Sequence, residues 1–190
     1  MASHNTGSDA ANTNVRAFLT KIGVHYYGKP FNHTSGKAKE LWREICEESF
    51  DSSCAYCGIK NEKLTMEHLV MFNRSECGLH HPGNVVPCCP TCNKRKNKNV
   101  KDSSGKIKKK PVKWEEQLKL ICNGNKTAFS ERKTKIEKSI MYNNYPKLTK
   151  NEKNSIRVMA MSLYELIKQD GNNTDTLYKE ITKSFTKNKK

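Results

Sequence analysis

Three stretches of this chain have a helical rhythm of apolar positions, and one long stretch between them does not. Val15, Phe18, Leu19 and Ile22 recur at i, i+3, i+4 and i+7, which predicts a short helix that Gly23 can stop after a polar, flexible start. Ala38, Leu41, Trp42 and Ile45 predict a second helix over about 36–49, with Cys46 beside its apolar stripe. In the C-terminal half the pattern predicts helices over 114–121 and 130–142. A longer one opens at the capping box Thr149-Lys-Asn-Glu152 and ends before Gly171. Its apolar face is Ile156, Met159, Ala160, Leu163 and Ile167, and a last helix is expected over 175–185.

Between Ser52 and Lys98 the rhythm changes. Cys54–Gly58 reads as a tight knuckle, and Leu64–Val70 reads as a strand that delivers Glu67 and His68. A polar loop over 74–83 follows, then a strand opened by Val85-Val86. Pro90 suits the first turn of a helix through Asn93, Arg95 and Asn97. The predicted order is strand, loop, strand, helix. The fold class expected is therefore α+β: a small core over 51–100, an N-terminal helical support over 1–50, and a basic linker with a helical region over 101–190.

Charge narrows the range of partners. The 190 residues carry a net +16, a strong prior for a polyanion. Residues 1–50 hold six Lys/Arg against five Asp/Glu, residues 51–100 seven against four, and residues 101–190 22 against ten. Ten of the basic residues fall between Lys94 and Lys113, where only Asp102 opposes them. A Lys-rich solubilising surface is the plainer reading of the same numbers. No apolar run reaches membrane-spanning length and no export signal opens the chain, so a cytoplasmic location is expected.

The cysteines carry the sharpest chemistry. Cys54-Ala-Tyr-Cys57 and Cys89-Pro-Thr-Cys92 are two matched pairs whose four thiolates can close a tetrahedral, structural zinc site. Cys88 is an alternative ligand, but only Cys89 gives the two-residue spacing. A disulfide framework competes with this reading, and fits a cytoplasmic chain less well. Cys46, Cys77, Cys88 and Cys122 are left as ordinary thiols; Cys77 with His80 or His81 would make a second metal site. His68 is a candidate general base, because its ordinary pKa lies near neutrality. Adjacent side chains on a strand point to opposite faces, so Glu67 and His68 share a site only if the strand bends or ends there.

Cys-x-x-Cys, Glu67-His68, Gly83-Asn84-Val85-Val86 and Cys-x-x-Cys-Asn93-x-x-Lys96, taken in order, resemble the zinc-stapled HNH, or ββα-metal, endonucleases. The likeness covers about residues 54–98 and leaves both flanks unexplained. It implies a DNA endonuclease leaving 5′-phosphate and 3′-hydroxyl ends, with His68 activating water and Asn84 fixing the loop and the imidazole. Glu67 and Asn93 would hold a catalytic Mg²⁺ or Mn²⁺, with Asn97, one helical turn beyond Asn93, as a third ligand. Lys94, Arg95, Lys96 and Lys98 would hold the phosphates of double-stranded DNA. Size and added helices are similar to HNH-type restriction enzymes; a homing or phage role would use the same core, and cutting both strands would suggest a homodimer. The chain departs from the commonest pattern in having Glu for Asp, Asn for the final His, and Leu79-His80-His81-Pro82 where Gly-Gly is usual. The rival from another class is a non-catalytic zinc module that binds DNA or RNA through the basic C-terminal region.

Overall fold

The computed structural model describes residues 7–31, 35–60, 63–94, 97–101 and 107–187. The chain is α+β and mostly helical. Helix α1 spans Gly7–Tyr27, and α2 spans Lys37–Glu44 and continues through a wider π turn, Ile45–Ser49. Strands β1 (Thr65–His68) and β2 (Val85–Cys88) are antiparallel, with Thr65 opposite Cys88 and His68 opposite Val85. Helix α3 is Pro90–Lys94. Strands β3 (Asn97–Lys101) and β4 (Ile107–Pro111) form a second antiparallel pair. Helices α4 (Trp114–Cys122), α5 (Lys126–Tyr142) and α6 (Lys150–Lys187) complete the chain.

Two apolar clusters hold these pieces, and both draw on distant parts of the sequence. The first joins Phe31, Ile45 and Phe50 to Tyr56, Leu69, Val85 and Val86, and is closed by Leu118 and Ile136 from α4 and α5. The second is built on α1 and α6. Ala11, Val15 and Leu19 meet Ile156, Ala160 and Tyr164, each set spaced at i, i+4, i+8, and the loop residues Cys77 and Leu79 are inserted beside them. Arg74 locks that loop to the helix pair. Its guanidinium lies 3.7 Å from the Tyr164 ring centre and donates to Asn12 Oδ1 at 3.1 Å.

Several boundaries differ from the sequence expectation, each for a tertiary reason. Gly7–Asp9, assigned to the flexible start, are already helical, and α1 runs straight through Gly23. There the absent side chain lets the helix touch the backbone carbonyl of His80, so Gly23 is a contact point and not a stop. The capping box at Thr149 is formed, with Glu152 N–H donating to Thr149 Oγ1 at 3.2 Å and Thr149 N–H to Glu152 Oε2 at 2.7 Å. The helix it opens does not end before Gly171. It absorbs the separate helix expected over 175–185 and continues to Lys187. A methyl group on Gly171 would come within 2.6 Å of the Gly7 Cα, so this glycine permits a close helix crossing. Met159 is 58% exposed, and the buried face of α6 passes through Tyr164 instead. Of the helix expected through Asn93, Arg95 and Asn97, Pro90–Lys94 is described and Arg95 lies outside the described residues. Asn97 begins a strand, and much of the expected linker is the β3–β4 pair.

Candidate functional site

The cysteine knuckles are made by local backbone geometry. Cys54 C=O accepts from Gly58 N–H at 2.8 Å, and Cys89 C=O from Asn93 N–H at 3.0 Å. Gly58 has a φ of 72°, the left-handed value that lets the first knuckle close. Ala55 N–H donates to Pro87 C=O at 2.8 Å, which staples that knuckle to β2. The result brings the ligand atoms of Cys54, Cys57, Cys89 and Cys92 all within 4.8 Å of one another. Zn–S bonds of about 2.3 Å in a tetrahedron place sulfurs about 3.8 Å apart, and Cys57 Sγ and Cys89 Sγ are separated by 3.7 Å. The four soft thiol donors therefore fit zinc in both number and spacing.

Charge points the same way. Hydrogen bonds from the Cys88 and Cys92 thiols hold Cys54 well below the usual thiol range, while the same contacts push Cys88 and Cys92 up. Thiolates this close repel one another, and a bound dication would relieve that repulsion. Cys88, the alternative ligand, adjoins Cys54 from β2 but is not one of the four grouped ligands, and all eight cysteines are free thiols. Cys77 donates to Arg74 C=O. Among the described residues the four-cysteine group is the one cluster of three or more such metal-binding side chains, and Cys77, His80 and His81 are not part of it.

Two braces from the C-terminal half escaped the sequence reading. Arg132 on α5 donates to Tyr56 C=O at 2.9 Å, inside the first knuckle, and Gln117 on α4 donates to Cys92 C=O at 2.8 Å, beside the second. A buried Gln and a helix-borne Arg have no local sequence signature, because their carbonyl partners lie 25 and 76 residues away.

The polar residues singled out from the sequence fall around β1. Strand β1 ends at His68, and Leu69 N–H still bonds Asn84 C=O at 2.9 Å in the register of the β1–β2 pair. Glu67 is 7% exposed and shares a strand face with Thr65. Asn93 Nδ2 reaches Thr65 Oγ1 at 3.3 Å, so Asn93 and Glu67 flank the same side of β1. His68 lies on the opposite strand face, toward the loop.

Asn84 is 1% exposed and ties that loop together. Its Oδ1 accepts from Val70 N–H at 2.8 Å. Both amide hydrogens are taken, by Val70 C=O at 3.0 Å and Leu79 C=O at 2.8 Å. Both donors of Asn84 thus serve the loop. His80 lies in hydrogen-bond range of the His68 imidazole, with Nε2 and Nδ1 3.1 Å apart.

The Leu79-His80-His81-Pro82 run, without a use at the sequence level, forms the wall of this loop. Phe72 stacks on His68 at 4.8 Å between ring centres and 15° between planes, and Phe31 lies 5.1 Å from His80. His81 is fully enclosed between the edges of Tyr27 and Tyr145. Its Nδ1 accepts from Gly83 N–H at 3.0 Å. Burial, and secondarily the neighbouring His80, push the His81 pKa down to about 4.

The expected phosphate contacts divide. Lys94 is exposed at the end of α3. Arg95 and Lys96 lie outside the described residues, and Lys98 pairs across the second sheet with Lys110. Asn97 sits opposite Pro111 in that sheet, so the premise that it continues the Asn93 helix face is overturned. The structure adds a basic feature of its own. A cleft of about 610 Å³ is lined by Lys113, Lys147, Lys153 and Arg157 with Glu76 as its one acid, and it shares Val70 and Tyr145 with the His68–His80 loop.

No protein-family model matches this chain, and neither a curated protein nor a solved structure matches it. Among the described residues no helix is long and apolar enough to cross a membrane.

Proposed function

We propose that the chain is a zinc-stapled DNA endonuclease of the ββα-metal kind, of restriction type, which hydrolyses phosphodiester bonds to 5′-phosphate and 3′-hydroxyl ends. The observation that carries this reading is the strand–loop–strand–helix run from Thr65 to Lys94, stapled by four clustered cysteines, with Glu67, His68, Asn84 and Asn93 distributed along it.

His68 is the base that takes a proton from the attacking water, and Asn84 keeps the loop beside it closed. The Glu67 carboxylate and the Asn93 amide oxygen, flanking one side of β1, are hard donors suited to Mg²⁺ or Mn²⁺. Such an ion, when bound, supplies charge stabilisation at the phosphate and the leaving oxygen. The net +16 and the cleft lined by Lys113, Lys147, Lys153 and Arg157 support a polyanionic partner, held through its backbone.

The test is cleavage of a long defined DNA by zinc-loaded protein with Mg²⁺ or Mn²⁺, with and without EDTA, followed by mapping of the ends. His68→Ala should reduce cutting by about 100-fold or more. Binding without cleavage under every metal condition would reject the nuclease in favour of a zinc-containing nucleic-acid-binding module. Faster cutting of RNA in the same assay would reassign the substrate.

A further inference from the structure

We infer that the basic cleft is a recess for a strand end, holding one terminal nucleotide by its phosphate monoester. The inference rests on the nuclease reading, which gives the cleft a polyanion, and names the part of that polyanion that enters. A volume of about 610 Å³ equals a sphere about 10 Å across, which has room for one nucleotide and is too narrow for a duplex.

The recess has a closed, apolar floor. Cys77 and Ile156, both buried in the α1–α6 cluster, lie in it, and Val70 and Leu148 line it as well. A floor made of core side chains lets a group enter from solvent and go no further, which suits a chain terminus. Tyr145 forms one wall and is held in place. Its backbone lies against Gly83, where an added methyl group would meet the Tyr145 Cβ at 2.7 Å, and its hydroxyl accepts from Leu79 N–H at 3.2 Å. An aromatic ring beside apolar side chains suits a base or a sugar.

The phosphate is called for by the rim. Lys113, Lys147, Lys153 and Arg157 are all exposed there, against the single acid Glu76. Among the described residues none of these four cations makes an ion pair with a carboxylate. Arg157 donates to Asn154 Oδ1 at 3.2 Å, which steadies the guanidinium without neutralising it. Burial pushes the Cys77 thiol pKa up, while Arg157 pulls it down and Glu76 raises it, so both charges are felt at the floor. The backbones carrying the cations are fixed. Lys113 precedes α4, its C=O accepting from Gln117 N–H at 2.9 Å, and Lys153 N–H donates to Thr149 C=O at 3.0 Å, one helical turn before Arg157. Like charges gathered around one recess repel one another, and a bound anion relieves that repulsion. A phosphate monoester brings roughly two negative charges at neutral pH and three acceptor oxygens, where a diester brings a single charge. The excess of cations therefore favours the end group over a backbone unit. Val70, shared with the loop, is two residues beyond His68, so an end held here lies next to the segment assigned to cleavage.

The experiment measures binding by the full, zinc-loaded chain without added Mg²⁺ or Mn²⁺, so that nothing is cut. Three single-stranded oligonucleotides of one sequence, labelled internally, carry a 5′-phosphate, a 3′-phosphate or hydroxyls at both ends. A phosphorylated end should bind about 10-fold or more tighter than the hydroxyl strand. Adenosine 5′-monophosphate should compete with it, and adenosine should not. Lys147→Gln/Lys153→Gln, at two exposed positions, should remove most of the preference while weakening the hydroxyl strand far less. A monophosphate as tight as the phosphorylated strand shows that the recess reads the nucleotide alone, and a weaker one that the rest of the strand adds contacts; both retain the recess. Equal affinity for the three strands, or a double variant that weakens all of them equally, overturns the inference and leaves the cleft as general backbone contact. If the double variant does not fold, the wild-type comparison still decides. Failure to cut DNA under every metal condition would end the nuclease reading and leave an end preference standing, whereas cutting by a protein indifferent to end phosphates would end this inference alone.

Discussion

Acid should destabilise this protein through His81, whose imidazole is buried in its neutral form. The ring is 1% exposed, and Nδ1 is committed as an acceptor to Gly83 N–H, so protonation would break that bond as well as charge a buried group. The folded pKa falls from 6.5 to about 4. Above the unfolded value both states are neutral and the stabilisation is fully present. As pH falls below it, the unfolded chain takes up a proton that the folded one refuses, and stability declines until the folded pKa is reached. At about 1.4 kcal/mol per pH unit the full loss is about 3 kcal/mol, of which about 2 kcal/mol falls between pH 7 and 5. Urea unfolding of zinc-loaded protein across that window, compared with His81→Asn, isolates the effect. Asparagine suits the same capping position, accepting from Gly83 N–H, but does not titrate. The variant should start less stable at pH 7, having lost the ring packing against Tyr27 and Tyr145, and should then decline less steeply. Parallel curves for the two proteins would refute the reasoning.

Other expectations follow from the same contacts. Cobalt in place of zinc should give one tetrahedral, thiolate-type absorption spectrum per chain, and Cys89→Ser should weaken it; an octahedral spectrum would contradict four-sulfur ligation. Asn84→Ala removes all three hydrogen bonds of a buried amide and should cost about 3 kcal/mol in urea unfolding. Gly171→Ala should destabilise although alanine gains about 1 kcal/mol of helix propensity, because crowding at the Gly7 crossing costs about 1–3 kcal/mol; a raised Tm would show that the helices can separate. Replacing Lys147, Lys153 and Arg157 with Glu should weaken DNA binding and flatten its dependence on salt, whereas equal affinity and slope would remove the cleft from the interface.

What could be read from the residues was whatever local spacing dictates. The two Cys-x-x-Cys pairs, the capping box at Thr149 and the apolar Val85-Val86 strand each carry their instruction within a few positions, and each is formed. Glycine was misread at Gly23 and Gly171 because a stop signal and a close helix contact use the same residue. Which one holds depends on a partner 57 residues away at His80, or at Gly7 near the other end of the chain. The β3–β4 pair was hidden by its lysines, whose pattern suggests a solvated linker and offers no alternation to mark a strand. His80 and His81 were legible as chemistry without a purpose. Their roles depend on ring contacts with Phe31, Phe72, Tyr27 and Tyr145 that no spacing encodes.

The crossing of α1 with α6 bears on how transferable the cysteine-bearing segment is. Residues 54–94 contain every candidate reactive group of the proposed chemistry, yet the far side of the loop is built by Leu19, Gly23 and Ile156, and its Arg74 is anchored to Asn12 and Tyr164. Grafted into another scaffold, that segment would keep its metal staple and lose the surface against which its histidines are set. The motif is therefore not a cassette, and an engineer moving it would have to carry the outer helix pair as well.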